Sequence, residues 1–208
     1  MTLHLKALSK LSAALLLCGL AAQAVAQTVV LDSYGPDVTY LEGWPTPLTQ
    51  AQHIAIPFSI AMDTSVQSIL TTIDGIGGVT FGILARSGAL PTSSGWLHST
   101  HLVDPWANTT LTPTGWTLAA GNYWLVAAPD SGFEGSWQSP TNNATANWAY
   151  TSAPGVWTEV TSTFTGMPGA RIVVTSAVPE PSTYGLMLAG ALLVAAAARR
   201  KSHAQQQG

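Results

Sequence analysis

The sequence predicts an all-β fold, an antiparallel β-sandwich or jelly roll, followed by a single C-terminal transmembrane helix. Short segments that alternate apolar and polar residues, or are rich in β-branched residues, recur through residues 27–177. Turn-forming pairs such as Gly77-Gly78 and Ser131-Gly132 separate these segments. No long segment between them has helical periodicity. Eight or more short strands in about 150 residues are typical of a sandwich.

The predicted strands cover residues 28–31, 53–60, 66–73, 79–85, 96–103, 116–118, 123–128, 147–151 and 171–176. The segment 53–60 alternates most regularly, and its apolar face consists of Ile54, Ile56, Phe58 and Ile60. Pro57 lies on its other face and cannot donate a ladder hydrogen bond, which predicts an edge strand or a bulge. In the segment 123–128 the alternation places Tyr123 and Leu125 opposite Trp124 and Val126. Trp124 is predicted to lie in the core.

The charge distribution excludes nucleic-acid binding. Only 8% of the 208 residues are charged and the net charge is −3, against the roughly 25% charged residues of average domains. Between residues 27 and 178 there are two basic residues, Arg86 and Arg171, and nine acidic ones, so this body carries −7. A chain without a Lys/Arg stripe cannot displace the counterions of DNA or RNA.

The apolar content predicts one folded domain without disulfides. The chain is 47% hydrophobic and contains eight Trp, which excludes a disordered polymer because such chains lack the apolar surface that offsets chain entropy. Its single cysteine, Cys18, permits neither a disulfide framework nor a cysteine metal site.

The first 26 residues have the pattern of a secretory signal peptide. Lys6 and Lys10 precede an apolar run from 11 to 22, and Ala24-Val25-Ala26 supplies the small residues of a cleavage site. About a dozen apolar residues are too few to span a bilayer, which needs roughly 20. We therefore predict cleavage after Ala26, with Gln27 as the first residue of the mature chain.

The last 31 residues form a second targeting pattern in three parts. Pro179-Glu180-Pro181 keeps the chain extended, and an uncharged run from 183 to 198 follows. Arg199-Arg200-Lys201 then forms a predicted membrane stop. Sixteen helical residues are roughly 24 Å long, and snorkelling of the arginines can bridge the remaining hydrocarbon thickness. The basic cluster is predicted to stay cytoplasmic, so the body lies outside the membrane.

These three parts resemble the PEP-CTERM sorting signal of Gram-negative bacteria over residues 178–208. The resemblance implies recognition by an exosortase, a membrane-embedded protease or transpeptidase, and cleavage near Pro179-Glu180-Pro181. It further implies export through a membrane-anchored intermediate, with transient contact with the inner membrane. The expected destination is the outer surface or an extracellular polysaccharide matrix.

The body resembles the choice-of-anchor β-sandwich domains that often precede such signals. The resemblance covers residues 50–175 and rests on Gly115-Trp116, Ala89-Leu90-Pro91 and the segment 118–125. It implies a β-sandwich at the cell surface without an assigned activity. It therefore bears on the fold more than on the chemistry.

Two sets of polar residues are candidates for a catalytic or metal-binding site. Asp130 and Glu134 flank a glycine loop and could serve as oxygen ligands for calcium or as the acid and base of a glycosidase. Without further acidic residues nearby, solvated loop charges are the preferred interpretation. His98 and His101 are three residues apart on a predicted strand and should point to opposite faces, so they should not share a metal.

The tryptophans raise a carbohydrate alternative. Trp96, Trp116 and Trp137 lie near predicted turns, where an exposed indole can stack on a sugar ring. Packing in the core or at its rim is the preferred interpretation for any single Trp, because each indole buries a large apolar area. We predict a secreted protein that is not an enzyme and needs no cofactor, with calcium as a weak possibility. The alternative is a module that binds extracellular polysaccharide.

Overall fold

The computed structural model describes residues 25–34, 44–92, 95–140, 147–153, 155–161 and 166–177, together with Gly185, Ala189 and Gly190. The strands of this described part are β1 Val25–Asp32, β2 Trp44–Leu48, β3 Ile54–Ile60, β4 Thr64–Thr71, β5 Ile73–Ile76, β6 Gly78–Ala85, β7 Trp96–Val103, β8 Thr109–Leu111, β9 Thr117–Leu118, β10 Gly121–Pro129, β11 Glu134–Ser139, β12 Trp148–Ala153, β13 Val156–Val160 and β14 Ala170–Ala177. The prediction of an all-β body is confirmed. β2, β8, β11 and β13 lie outside the predicted strands.

The strands form three sheets. One follows the order β1-β14-β4-β8, with β9 also paired to β4. The second, of six strands, follows β13-β12-β3-β10-β6-β7, and a small third sheet follows β2-β11-β5. The registered strand pairs of the described residues are antiparallel, as the sequence predicts.

The main core lies between the sheets, as expected of a sandwich-like arrangement. Leu48 of the small sheet, Ile69 of the five-stranded sheet and Phe81 of the six-stranded sheet are all fully buried members of one apolar cluster. Burial of a large apolar side chain contributes about 1.5–3 kcal/mol. Packing among side chains from all three sheets therefore stabilises a body that has no cysteine in residues 27–177.

Strand β10 is buried on both faces, and its alternation is the one predicted. Tyr123 and Leu125 belong to the main core. Trp124 and Val126 instead belong to a second, smaller apolar cluster on the other face of the same sheet. Trp124 is 1% exposed, and the Arg86 guanidinium lies 4.7 Å from the centre of its ring. The guanidinium of Arg86 therefore covers the Trp124 ring in a cation–π contact.

The prediction that Pro57 marks an edge strand is wrong for β3 as a whole. β3 lies inside the six-stranded sheet, between β12 and β10. Its register with β12, however, covers Ile54 and Ala55 alone. In the described residues Pro57 is therefore in register with Trp124 of β10 and has no partner from β12. A proline is tolerated here because the strand is locally at an edge.

The chain divides into two compact units, one of residues Gln27–Ser176 and one of the two ends, Met1–Ala26 and Ala177–Gly208. Most of the second unit lies outside the described residues, including Ala24 and nearly all of the predicted transmembrane segment 183–198. Gly185, Ala189 and Gly190 are helical. Among the described residues, no helix has the length and apolar character needed to cross a membrane.

Candidate functional site

The C-terminal targeting segment begins where the last strand of the body ends. β14 is an inner strand of the five-stranded sheet and is in register with β4 from Ala170–Thr71 to Thr175–Ser65. The predicted sorting residues Pro179, Glu180 and Pro181 follow within four residues of Ala177, but they lie outside the described residues. The same is true of the predicted membrane stop, Arg199-Arg200-Lys201. The structure thus describes the strand to which the segment is attached.

The first and last strands of the body are neighbours in the same sheet. The backbone N–H of Ser33, just after β1, donates to the carbonyl of Ala170 at the start of β14. The two strands are consequently antiparallel, and Gln27 and Ser176 lie at the same end of the sheet. One predicted processing point therefore lies within the first strand of this pair, and the other follows the second strand in the sequence.

The predicted signal-peptide cleavage point falls inside β1. Ala26 and Gln27 are both exposed residues of this strand, which begins at Val25. Cleavage after Ala26 would leave residues 27–32 of the strand in the mature chain.

Trp137 is not available to a ligand, so its prediction as a sugar-stacking residue is wrong. It is 0% exposed, and its Nε1 donates to the carbonyl of Gly169 at 3.0 Å. Its ring meets Phe81 edge-on, with centroids 5.6 Å apart. The sequence placed Trp137 near a turn because β11 was not predicted. On this strand Trp137 points into the core.

Trp96 and Trp116 remain candidates for sugar stacking. Trp96 opens β7, the edge strand of the six-stranded sheet, and is 36% exposed. Trp116 is half-buried, and its ring stacks on His98 with centroids 5.3 Å apart and planes at 14°. One face of the Trp116 indole is therefore already covered.

The histidines of β7 point to opposite faces, as predicted, and have different partners. His98 Nε2 lies 2.8 Å from the carbonyl oxygen of Thr117, whereas His101 Nε2 lies 2.7 Å from Asp130 Oδ2. The structure thus brings Asp130, in the turn after β10, to His101. The sequence did not indicate this partner because the two residues are 29 positions apart. The side chains of His101 and Asp130 are 49% and 50% exposed, respectively.

Glu134, the second weak candidate for a metal ligand, begins β11 and is exposed. Its register partner is Ile76 of β5. Among the described residues, no three His, Cys, Asp or Glu side chains lie close enough together to hold a metal ion. Asp130 therefore forms a two-residue pair with His101 rather than part of a larger ligand cluster.

A groove at the outer edge of the six-stranded sheet was not predicted. It has a volume of about 460 Å³ and is lined by the β12–β13 hairpin, including Trp148, Tyr150 and Thr158, and by Gln52. The Trp148 and Tyr150 rings are 6.1 Å apart and inclined at 52°. Trp148 and Tyr150 are two residues apart, and in a strand this spacing places both rings on one face. This spacing is the feature of the sequence that could have indicated the groove.

Two groups among the described residues have shifted pKa values, and burial is the main cause in each. Burial lowers the pKa of His53 below its ordinary value of 6.5, opposed by a hydrogen bond with the backbone of Gln50. Burial raises the pKa of Tyr34 above 10.0, opposed by the nearby positive charge of Arg171. His53 lies beside the groove residue Gln52, and its ring meets Trp157 edge-on at 6.4 Å.

Comparison with known proteins identifies the C-terminal segment. Residues 177–201 match the PEP-CTERM protein-sorting motif. No curated protein matches the sequence. The matched range begins at the last residue of β14 and ends at the last residue of the basic cluster. The chain therefore carries a PEP-CTERM sorting motif, which indicates an exported protein that passes through a membrane-anchored intermediate and is recognised by an exosortase.

Proposed function

We propose that the chain is a non-enzymatic surface or extracellular-matrix protein of a Gram-negative bacterium. The observation that carries this proposal is the sorting motif at residues 177–201, which directly follows the last strand of an all-β body. Once the exosortase has acted, the part of the protein that remains is this body. The folded body then serves as a non-enzymatic component of the surface or the matrix.

The exposure of the His101–Asp130 pair supports a non-enzymatic role. An acid–base pair that works in catalysis is usually held in a cleft that limits water. The Asp130 carboxylate and the His101 imidazole are about half exposed, and water weakens an interaction of this kind. Their geometry supports a role in tying β7 to the turn that follows β10.

Export and processing can be tested by replacing Pro179, Glu180 and Pro181 together with alanine. We expect the variant to accumulate as an unprocessed, membrane-associated chain, because the residues that the exosortase recognises are gone. Replacing Gln205 and Gln206, which lie beyond the matched motif, with alanine is the control and should leave processing unchanged. Intact mass and cell fractionation measure both outcomes. Release of the triple variant with the wild-type mass would contradict the proposal.

Surface exposure needs a separate measurement, because processing alone does not fix the final location. Protease added to intact cells should cleave the wild-type body. If it is cut only after the cells are broken open, the outer-surface part of the proposal fails.

The second candidate function is binding of extracellular polysaccharide. The specific observation in its favour is the groove with Trp148 and Tyr150 at the sheet edge, since ligand sites are commonly concave and aromatic. Trp96 and Trp116 offer further partly exposed indoles. Retardation of the protein in gels that contain polysaccharide tests this candidate. Unchanged migration with every neutral and acidic polymer would contradict it.

A further inference from the structure

The connection between β7 and β8 presents the most exposed tryptophan of the described residues. We call residues 104–108 the Trp106 loop. Trp106 is 76% exposed, compared with 36% for Trp96. An exposed indole contributes none of the favourable free energy that its burial would supply. A loop that keeps an indole in contact with solvent therefore calls for an explanation.

Hydrogen bonds hold the Trp106 loop on both sides. Asp104 exchanges two with Gly77: its N–H donates to the Gly77 carbonyl at 2.9 Å, and its Oδ1 accepts from the Gly77 N–H at 2.7 Å. The carbonyl of Pro105 accepts from Gly75 at 3.0 Å. The N–H of Asn108 donates to the carbonyl of Thr71 at 3.0 Å. The loop is thus built as a fixed platform.

The backbone on either side of Trp106 is in the left-handed region. Asp104 has φ 46° and Asn108 has φ 70°, and these are the non-glycine residues with positive φ in the described chain. Asp and Asn tolerate this conformation better than other residues, but it still has an energetic cost. Local strain of this kind is typically retained at binding sites, where the surrounding structure enforces it.

Two further exposed apolar residues lie on strands next to the loop, one on β7, which leads into it, and one on β5, which ends just before Gly77. Val103 is 67% exposed and Ile76 is 75% exposed. Val103 is in register with Gly78, and Ile76 precedes Gly77, which is bonded to Asp104. Trp106, Ile76 and Val103 are the three most exposed large apolar side chains of the described residues. The backbone segments that carry them are hydrogen-bonded to one another or in register. Concentrated exposure of this kind marks an interaction surface.

The charges around the loop disfavour an acidic ligand. Asp104 belongs to the loop, and Asp74 lies on β5 two residues before Ile76. The cations of the described body are engaged elsewhere, Arg86 over Trp124 and Arg171 with Asp32. An acidic polysaccharide would meet like charge here and no compensating cation.

We propose that the Trp106 loop is a binding platform for a neutral polysaccharide. The exposed indole face stacks on the C–H face of a sugar ring, and the polar side chains of Asp104 and Asn108 are placed to reach its hydroxyl groups. Because the loop is already held by its hydrogen bonds, little ordering is needed on binding. This inference rests on the second candidate function, polysaccharide binding, and assigns it to a site other than the β12–β13 groove.

Affinity electrophoresis of the full-length protein, purified in detergent, tests the site. The gels contain dextran, galactomannan or hydroxyethyl cellulose as neutral polymers, and alginate as an acidic one. We expect at least one neutral polymer to retard the wild type and alginate not to do so. Trp106→Ala should weaken the retardation at least tenfold, and Trp106→Tyr should retain part of it. Met62→Ala and Val29→Ala, which shorten exposed apolar side chains outside the loop, are the matched controls and should bind like the wild type. Tyr150→Ala tests the β12–β13 groove.

The failures of the site and of the function can be told apart. If Tyr150→Ala abolishes retardation and Trp106→Ala does not, the groove binds the polymer and the platform proposal is overturned, while polysaccharide binding stands. If no polymer retards the wild type, both are overturned. Intact mass of the cell-derived protein supplies a third outcome. A sugar attached covalently to Asn108, in the sequence Asn108-Thr109-Thr110, would overturn the proposal because the chain's own glycan would occupy the indole.

Discussion

His101 and Asp130 meet in the space that a side chain at Gly78 would fill. His101 Nε2 and Asp130 Oδ2 are 2.7 Å apart. A Cβ at Gly78 would lie 2.6 Å from that nitrogen and 2.5 Å from that oxygen. The glycine therefore allows the edge strand β7 to be tied to the turn after β10. Gly82, four residues along β6, is also close to β7, but there its neighbours are backbone atoms.

This difference predicts unequal costs for two Gly→Ala substitutions in β6. Gly78→Ala should lower the free energy of unfolding by about 1 kcal/mol or less, because the atoms it displaces end flexible, exposed side chains whose interaction is weak. Gly82→Ala should cost more, about 1–3 kcal/mol or above, because its Cβ would overlap the carbonyl of His98 and the Cα of Ser99. Urea unfolding followed by far-UV circular dichroism measures both.

Gly88→Ala is the matched control, since its Cβ would meet nothing within 4 Å. Its free energy of unfolding should lie within about 0.5 kcal/mol of the wild type. Equal losses for the Gly78 and Gly82 variants would show that the close approach of β7 is not what distinguishes the two positions.

The strands with regular alternation could be predicted from the sequence, because period-2 patterning follows directly from which face is buried. The prediction of Trp96–Val103 matches β7 at both ends. β2 was missed because Pro45 and Pro47 interrupt it. It lies at the edge of the small sheet, where missing N–H groups are tolerated. The pattern of one strand does not reveal which strand pairs with it.

The candidate sites of the body are formed by residues that are far apart in the sequence. Local sequence patterns could therefore not predict which residues meet. The targeting segment at 177–201 could be found because its signal is local in sequence. The pairing of His101 with Asp130 joins residues 29 positions apart. Likewise, the exposure of Trp106 follows from bonds that its loop makes to Thr71, Gly75 and Gly77. No local pattern distinguishes this exposed tryptophan from the buried Trp137.

The contrast between Trp137 and Trp106 predicts opposite effects of alanine on stability. Trp137→Ala should lower the free energy of unfolding by about 3–5 kcal/mol, because it leaves a cavity in the core and removes one of the hydrogen bonds that the Gly169 carbonyl accepts. Trp106→Ala should change it by less than about 0.5 kcal/mol, because the side chain is 76% exposed. Urea unfolding of both variants checks this. A large loss at Trp106 would mean that the loop is structural.

The lowered pKa of His53 predicts that acid destabilises the fold. Burial favours the neutral imidazole in the folded state, so the unfolded state binds more protons as pH falls through 6.5. The contribution of His53 is fully present above pH 6.5 and is lost as pH falls towards the folded-state pKa. His53→Gln should remove this part of the pH dependence. Unfolding free energies of both proteins between pH 8 and 5 measure it, and parallel curves would contradict the assignment.

The raised pKa of Tyr34 predicts a loss of stability at alkaline pH. Its contribution is fully present below the ordinary value of 10.0 and is lost as pH rises through the folded-state pKa, because the unfolded phenol ionises first. The Tyr34 hydroxyl is buried without a hydrogen-bond partner among the described residues. Tyr34→Phe should therefore be neutral or stabilising by about 1 kcal/mol at pH 7. It should also flatten the alkaline limb of a stability curve, and an unchanged limb would show that other groups cause it.

The contacts between β1 and β14 predict which interaction stabilises the pairing of the first strand with the last. Ser33 is 1% exposed, and its Oγ donates to the carbonyl of Pro168 at 2.6 Å and accepts from the N–H of Ala170 at 2.7 Å. Ser33→Ala leaves both backbone groups without this partner and should cost about 1–3 kcal/mol. Asp32→Asn weakens the ion pair with Arg171, at 3.1 Å, whose two side chains are 34% and 32% exposed, and should cost about 0–1 kcal/mol.

Hydrogen exchange localises the effect of these two variants. Amides of β1 and of the first residues of β14 should lose protection in Ser33→Ala, while those of β10 keep theirs, because β10 lies in the other large sheet. Ser33→Thr, which retains a hydroxyl, is the conservative control and should lose less protection than Ser33→Ala. If Asp32→Asn exposes β1 more than Ser33→Ala does, the surface ion pair rather than the buried hydroxyl joins the first strand to the last.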